Sequence, residues 1–159
     1  MKTIEFNLRI TFCLLEELSE GDQALLKQAM DATRNSYSPY SRFAVGAALR
    51  LANNTIVQGA NQENAAFPSG LCAERAAIFA AQSVSPEQAI TDIAIAAHNG
   101  GGFTKQPIVP CGACRQVILE MEDRYQRPVR LLLYGTEGVY VINSVKDILP
   151  LQFVGDSMK

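Results

Sequence analysis

The chain opens on an alternation. Ile4, Phe6, Leu8, Ile10 and Phe12 are apolar, and Glu5, Asn7, Arg9 and Thr11 between them are polar. A period of two predicts a strand with one buried face. From Ser19 the period changes: Leu25, Leu26, Ala29 and Met30 recur at helical spacing. Ser19 has the side chain of an N-cap and Asp22 follows three positions on, which predicts a helix over 20–34. Tyr37-Ser38-Pro39-Tyr40-Ser41 reads as a loop. Strands at 45–51 and 54–61 follow, with a tight turn at Asn53-Asn54. After the break at Pro68-Ser69-Gly70 come a helix over 72–82, an apolar strand over 90–97 and a flexible loop at Gly100-Gly101-Gly102 that Pro110 closes. Val117, Ile118 and Met121 share one face of a helix over 111–125. Strands at 129–134 and 139–142 are joined by Gly135-Thr136-Glu137-Gly138, and Asn143 or Ser144 caps a short helix ending near Leu149-Pro150. Helices lie between most strands, so the pattern predicts a layered α/β fold with a mixed sheet and helices on both faces.

Composition narrows the functional classes. With 159 residues, 48% of them apolar, the chain is expected to form a single domain over 1–159 with a sizeable core. The net charge of −2 leaves no electrostatic footprint for nucleic acid. Arg124, Arg127 and Arg130 form a thin basic cluster that reads as a solvated helix end and loop. No apolar run approaches the ~20 residues of a membrane span, and the first residues lack the apolar stretch of a secretion signal. A cytoplasmic protein without nucleic-acid or membrane partners is therefore expected. In that reducing compartment Cys13, Cys72, Cys111 and Cys114 read as thiols or metal ligands rather than disulfides.

Three of these cysteines carry the chemistry. Cys111-Gly112-Ala113-Cys114 puts two thiolates at a helix start, and Cys72 stands at the start of another helix. Zinc suits such ligands, and three protein ligands leave one tetrahedral position for water, as in catalytic sites. Two helix N-termini, each carrying roughly +0.5 charge, would offset the −1 of three thiolates and one zinc. Arg75 and Arg115 each follow a ligand and are candidates to donate charge-assisted hydrogen bonds to sulfur. Glu74, two residues after Cys72, is the candidate proton carrier. Two other readings stand beside this one: a structural zinc site completed by Cys13, and a redox C-x-x-C. His98, the only histidine, lacks an H-x-E context and reads as a loop residue at a strand end.

Longer strings then match a family. Tyr37-Ser38-Pro39-Tyr40-Ser41-Arg42-Phe43-Ala44-Val45-Gly46-Ala47-Ala48, Asn61-Gln62-Glu63-Asn64-Ala65, Pro68-Ser69-Gly70-Leu71-Cys72-Ala73-Glu74-Arg75 and Pro110-Cys111-Gly112-Ala113-Cys114-Arg115-Gln116 resemble the small homotetrameric cytidine deaminases over roughly 20–155. The resemblance implies a three-layer α/β/α fold with a mixed five-stranded sheet, to which 1–18 would add an N-terminal strand and 19–155 the catalytic core. It implies zinc-dependent hydrolysis of free cytidine or deoxycytidine to the uracil nucleoside and ammonia in pyrimidine salvage. Cys72, Cys111 and Cys114 would bind one zinc ion per subunit, and Glu74 would shuttle protons between water, N3 and the leaving ammonia. Asn61 and Glu63 would bind the ribose hydroxyls, and the Ala73 N–H the pyrimidine carbonyl. Phe43 would pack on the base across a subunit boundary and Phe153 would reach a neighbouring site, giving a homotetramer with active sites at its interfaces. Position 76 is Ala where the family often has Thr. A modified cytosine nucleoside such as blasticidin S is the alternative substrate. Asn61 argues against it, because a modified sugar would leave that amide unpaired at roughly 1–3 kcal/mol.

Overall fold

The structure, a computed structural model, describes residues 1–158. Its strands are β1 (Thr11–Cys13), β2 (Ala44–Leu51), β3 (Ile56–Ala60), β4 (Ile90–Asn99), β5 (Gly102–Phe103), β6 (Arg130–Gly135) and β7 (Gly138–Ile142). They form one sheet in the order β1-β7-β6-β4-β2-β3, with β5 paired to β4. β4 and β6 run parallel and the other pairs antiparallel, so the sheet is mixed as expected. Helix α1 (Glu20–Ala32) covers one face; α2 (Ala73–Val84) and α3 (Gly112–Tyr125) cover the other. The five longer strands and three helices fall where the hydrophobic pattern puts them, within a few residues at each end.

Alternation within the central strands feeds both layers. Leu49, Ile93, Ile95, Leu131 and Leu133 face α2 and α3, while Ala48, Ala94, Ala96, Leu132 and Val139 face α1. Small side chains let α1 lie close. At Gly46 a Cβ would stand 2.2 Å from the Ala29 carbonyl oxygen. On the other face a Cβ at Gly59 would stand 2.5 Å from the Ala77 nitrogen. Both contacts are to helix backbone, which cannot swing aside as a side chain can, so Gly59 sets how closely α2 approaches the sheet.

Five expectations need correction. The N-terminal strand is short: only Thr11–Cys13 pairs, with Val139–Val141 of β7. Continuing that register would bring Ile10 to Ile142, where β7 ends, so the earlier residues have no strand beside them. Ile4, Phe6, Leu8 and Ile10 are accordingly exposed. The glycine loop is also shorter than expected, because Gly102–Phe103 forms β5 against His98–Asn99. His98 therefore belongs to a strand, with its ring edge-on to Phe103 at 5.5 Å. Arg130 is not a solvated charge: its Nε donates to Asp92 at 2.7 Å and its Nη1 to Asp22 at 3.0 Å. Arg50 completes this cluster through Asp92 at 3.2 Å. The last short helix is a 3-10 turn over Val145–Ile148, capped by Ser144.

Candidate active site

Two helix N-termini meet at the cysteines. Cys72 is the N-cap of α2 and Cys111 the N-cap of α3, both with extended backbone; Cys114 lies in the first turn of α3. Neither cap residue makes a side-chain capping hydrogen bond. The sulfurs thus occupy positions where a capping oxygen would sit, beside N–H groups that have no partner inside their helices. The Cys72 and Cys111 sulfurs are 3.8 Å apart, Cys111 and Cys114 3.5 Å, and all three lie within 4.8 Å of one another. Two thiolates bound at about 2.3 Å to one tetrahedral ion stand about 3.8 Å apart. The donor set fits a zinc-sized soft cation, and no backbone movement is needed to close two edges of the triangle. Cys13, in β1 at the sheet edge, is not part of this cluster.

Charge is divided unevenly among the thiols. Hydrogen bonding with Cys114 and Arg75 outweighs burial and holds Cys72 down at about 5. Cys114 is pushed up by its hydrogen bond to Cys72 and by burial. Arg75 Nη2 donates to Cys72 Sγ at 3.7 Å, while its buried Nε finds no partner among the described residues. Arg115 does not join the sulfurs as expected. Its Nε donates to the Pro110 carbonyl at 2.8 Å and its Nη1 to the Ile148 carbonyl at 2.8 Å, so it braces the loop before Cys111.

Glu74, in the first turn of α2, is 4% exposed. Burial raises its pKa, with the charge on Cys72 adding to the effect. A carboxyl so placed beside a thiolate cluster is suited to accept and release a proton rather than to hold a fixed charge.

Cys72, Cys111 and Glu74 lie on a cavity of about 690 Å³, within the range for small-molecule sites, and the Cys114 sulfur is buried behind them. Its rim is built by strand ends and the 37–43 loop. The Asn61 side chain accepts from the Val45 N–H at 2.8 Å and the Ser36 hydroxyl at 2.6 Å, and donates to the Phe43 carbonyl at 2.9 Å. One amide N–H remains for a ligand. Glu63 Oε2 accepts from Tyr40 N at 2.8 Å and Ser41 N at 3.2 Å. Hydrogen bonding from Ser41 and the Tyr40 backbone holds this carboxyl below its usual range, leaving Oε1 to accept.

Asn61, Glu63, Cys72, Glu74, Arg75 and Cys111 therefore share one cavity wall. Ala73 is fully buried at the first position of α2. Phe43 and Phe153 are not on that wall; Phe153 is 58% exposed, with its carbonyl held by Gln116. Sequence reasoning missed Tyr40 and Phe67, whose rings meet edge-on at 5.5 Å over the cavity, and Ile108 and Val109 opposite. Tyr40 lies within a matched string and Phe67 directly precedes another, and the Pro107–Pro110 run before Cys111 was the available signal for Ile108 and Val109.

Comparison with known proteins agrees with this geometry. Residues 19–126 match the family described as the cytidine and deoxycytidylate deaminase zinc-binding region. The chain is 38% identical to the cytidine deaminase of Halalkalibacterium halodurans, over 86% of this chain and 96% of that one. It is 42% identical to that of Sporosarcina psychrophila, over 79% and 80%. The crystal structure of cytidine deaminase from Burkholderia pseudomallei superposes with a TM-score of 0.71 at 35% identity, covering 86% of this chain and all of that one.

Proposed function

The chain belongs to the cytidine and deoxycytidylate deaminase family, and from that premise we propose that it hydrolyses free cytidine or deoxycytidine to uridine or deoxyuridine and ammonia. One observation carries the reading: three sulfurs are spaced for one tetrahedral ion, and two of them, on Cys72 and Cys111, share a cavity wall with the buried Glu74 carboxyl. Cys72, Cys111 and Cys114 hold zinc, which when bound supplies the Lewis acidity that makes hydroxide available near neutral pH. Glu74 takes a proton from the attacking water on its carboxylate and passes it to N3 of the ring. It then takes the remaining proton of the hydroxyl added at C4 and delivers it to the departing amine, as the C4–N bond breaks and the C4 carbonyl forms. The Ala73 N–H donates to the pyrimidine carbonyl. Asn61 donates its remaining N–H, and Glu63 accepts through Oε1, at the ribose hydroxyls. Arg75 steadies the charge on Cys72.

The wall favours a nucleoside over a nucleotide. Its one cation, Arg75, is engaged with Cys72, and Glu63 and Glu74 would repel a phosphate. Relatives that are cytidine deaminases favour cytidine over blasticidin S. The homotetramer belongs to the same proposal. Phe67 is 73% exposed and Val109 43% although both line the cavity, so a neighbouring subunit, bringing Phe43 or Phe153, closes its mouth. No helix among the described residues is long and apolar enough to cross a membrane; reduced thiolate ligands support residence in the cytoplasm. The test is ultraviolet absorbance of protein mixed with cytidine, beside a chelator-treated sample. Loss of the cytosine chromophore, abolished by the chelator and restored by zinc, is expected. An unchanged spectrum with zinc bound would overturn the substrate.

A further inference from the structure

The row Ile4, Phe6, Leu8, Ile10 lies outside the residues that match the family, is exposed, and has no strand paired to it among the described residues. Ile4 is 69% exposed and Phe6 50%. The row is continuous with β1, which is the last strand at its side of the sheet and pairs on one edge only. An open edge that leads into a segment of alternating apolar and polar residues is a template for another strand. We propose that segment 3–11 is an interaction surface for a second copy of this chain, pairing antiparallel with the same segment across a two-fold axis at Asn7.

Charge complementarity selects both the occupant and the register. A two-fold antiparallel pair sets residue i opposite residue j with i and j summing to one constant. Only an even constant keeps the apolar side chains of both copies on one face. A sum of 14 sets Glu5 opposite the second copy's Arg9, and Arg9 opposite its Glu5. The same register sets Ile4 against Ile10, Phe6 against Leu8, Thr3 against Thr11 and Asn7 against itself. Shifting the sum to 12 or 16 keeps the faces but sets Glu5 opposite Asn7 or Thr11, losing both direct ion pairs. Glu5 and Arg9 are exposed and make no ion pair with any described residue. Opposite charges directly across an antiparallel pair attract and like charges repel. The segment carries Arg9 against Glu5, with Lys2 just before it, too few cations for an anionic lipid surface.

The pairing is independent of the proposed reaction and is read without activity. In zinc-loaded full-length protein carrying Cys13→Ser, a cysteine is introduced singly at position 5, 7 or 9 and treated with a mild oxidant such as diamide. Residues directly opposite have Cα atoms about 4.5–5.5 Å apart, within disulfide reach. Position 7 is opposite itself, whereas each of positions 5 and 9 is about 13 Å along the strand from its own counterpart. Asn7→Cys is expected to give covalent dimer well above the Cys13→Ser background on a non-reducing gel, and Glu5→Cys and Arg9→Cys are expected to stay near it. Adding Glu5→Arg to Asn7→Cys should cut the yield several-fold, and adding Arg9→Glu as well should restore it. Equal cross-linking at all three positions, background cross-linking at position 7, or indifference to charge reversal would overturn the proposal. Co-sedimentation of the parent protein with anionic phospholipid vesicles, lost on deleting residues 2–10, would assign the segment to a lipid surface instead.

Discussion

Burial holds the Glu74 carboxyl above the ordinary carboxylate range while the Cys72 thiol, two positions earlier, falls to about 5. The two side chains lie at the same end of α2 with opposite shifts, and the proposed mechanism uses the first to carry a proton and the second to stay charged. Replacing Glu74 by Gln removes the carrier and leaves the sulfurs. Glu74→Gln is expected to keep stoichiometric zinc by metal analysis and to lose turnover by about 100- to 10,000-fold. Full activity in that variant would exclude Glu74 from the reaction. In the proposed mechanism Glu63 binds the ribose and moves no proton. Its Oε2 is held by two backbone N–H groups, and a Gln can keep those contacts through its amide oxygen. Glu63→Gln is therefore expected to raise KM about tenfold, the cost of one charged hydrogen bond, with a smaller effect on kcat. A fall in kcat with KM unchanged would move Glu63 from binding to chemistry.

At the scale of elements, the site is the meeting of two helix starts, and each start depends on how its helix is seated. Gly59 brings β3 against α2 so closely that a Cβ would also lie 2.6 Å from the Ala73 carbonyl. Gly59→Ala must push the first turns of α2 outward, carrying Cys72 and Glu74 with them. It is expected to cost about 1–3 kcal/mol by denaturant unfolding and to weaken zinc retention against a chelator. Lost stability with unchanged retention would show that the cluster tolerates the shift. α1 lies on the other face and makes no contribution to the cavity wall. Its N-cap, where Ser19 Oγ accepts from Asp22 N at 3.2 Å, can be removed as a control. Ser19→Ala is expected to cost about 1 kcal/mol with zinc and turnover unchanged.

Across the whole molecule, the cluster of Asp22, Arg50, Asp92 and Arg130 joins α1 to three strands. Burial acts to raise the Asp22 carboxyl, but hydrogen bonds from Arg130 and Ser19 and the nearby guanidinium charges prevail and lower it. A lowered folded-state value means that folding favours the charged form. That stability is present in full above the unfolded value, near 4, and is lost as pH falls through the lower folded value. Unfolding free energy followed by urea titration should therefore decline below about pH 4 in the parent. Asp22→Asn should lose about 2 kcal/mol at neutral pH, since Arg130 then keeps only one of its two carboxylate partners, Asp92, in a partly buried place, and should show a shallower decline in acid. Identical acid profiles would mean that other carboxylates govern acid stability.

Local pattern determined much of this protein because its signals are short-range. Hydrophobic periodicity located the five longer strands and three helices, and cysteine spacing pointed to the three thiols that the structure clusters, two of them at the start of α3 within one turn. The matched strings added Asn61 and Glu63, which the structure brings to the same cavity. Features decided by long-range neighbours were not legible. The alternation at 4–12 specifies a face but no partner, and β7 stops at Ile142, so most of the expected strand stands unpaired. Arg130 looked like a surface charge because its partner Asp22 lies 108 positions away. Arg115 was expected at the sulfurs, yet the carbonyls of Pro110 and Ile148 reach its guanidinium first. Tyr40, Phe67, Ile108 and Val109 become one cavity only when β2, β3 and the loop before α3 are stacked around Cys72. Spacing along the chain carries a side chain's chemistry and its turn of helix. Which other groups share its surroundings is decided by packing, because burial brings together residues that the sequence keeps far apart.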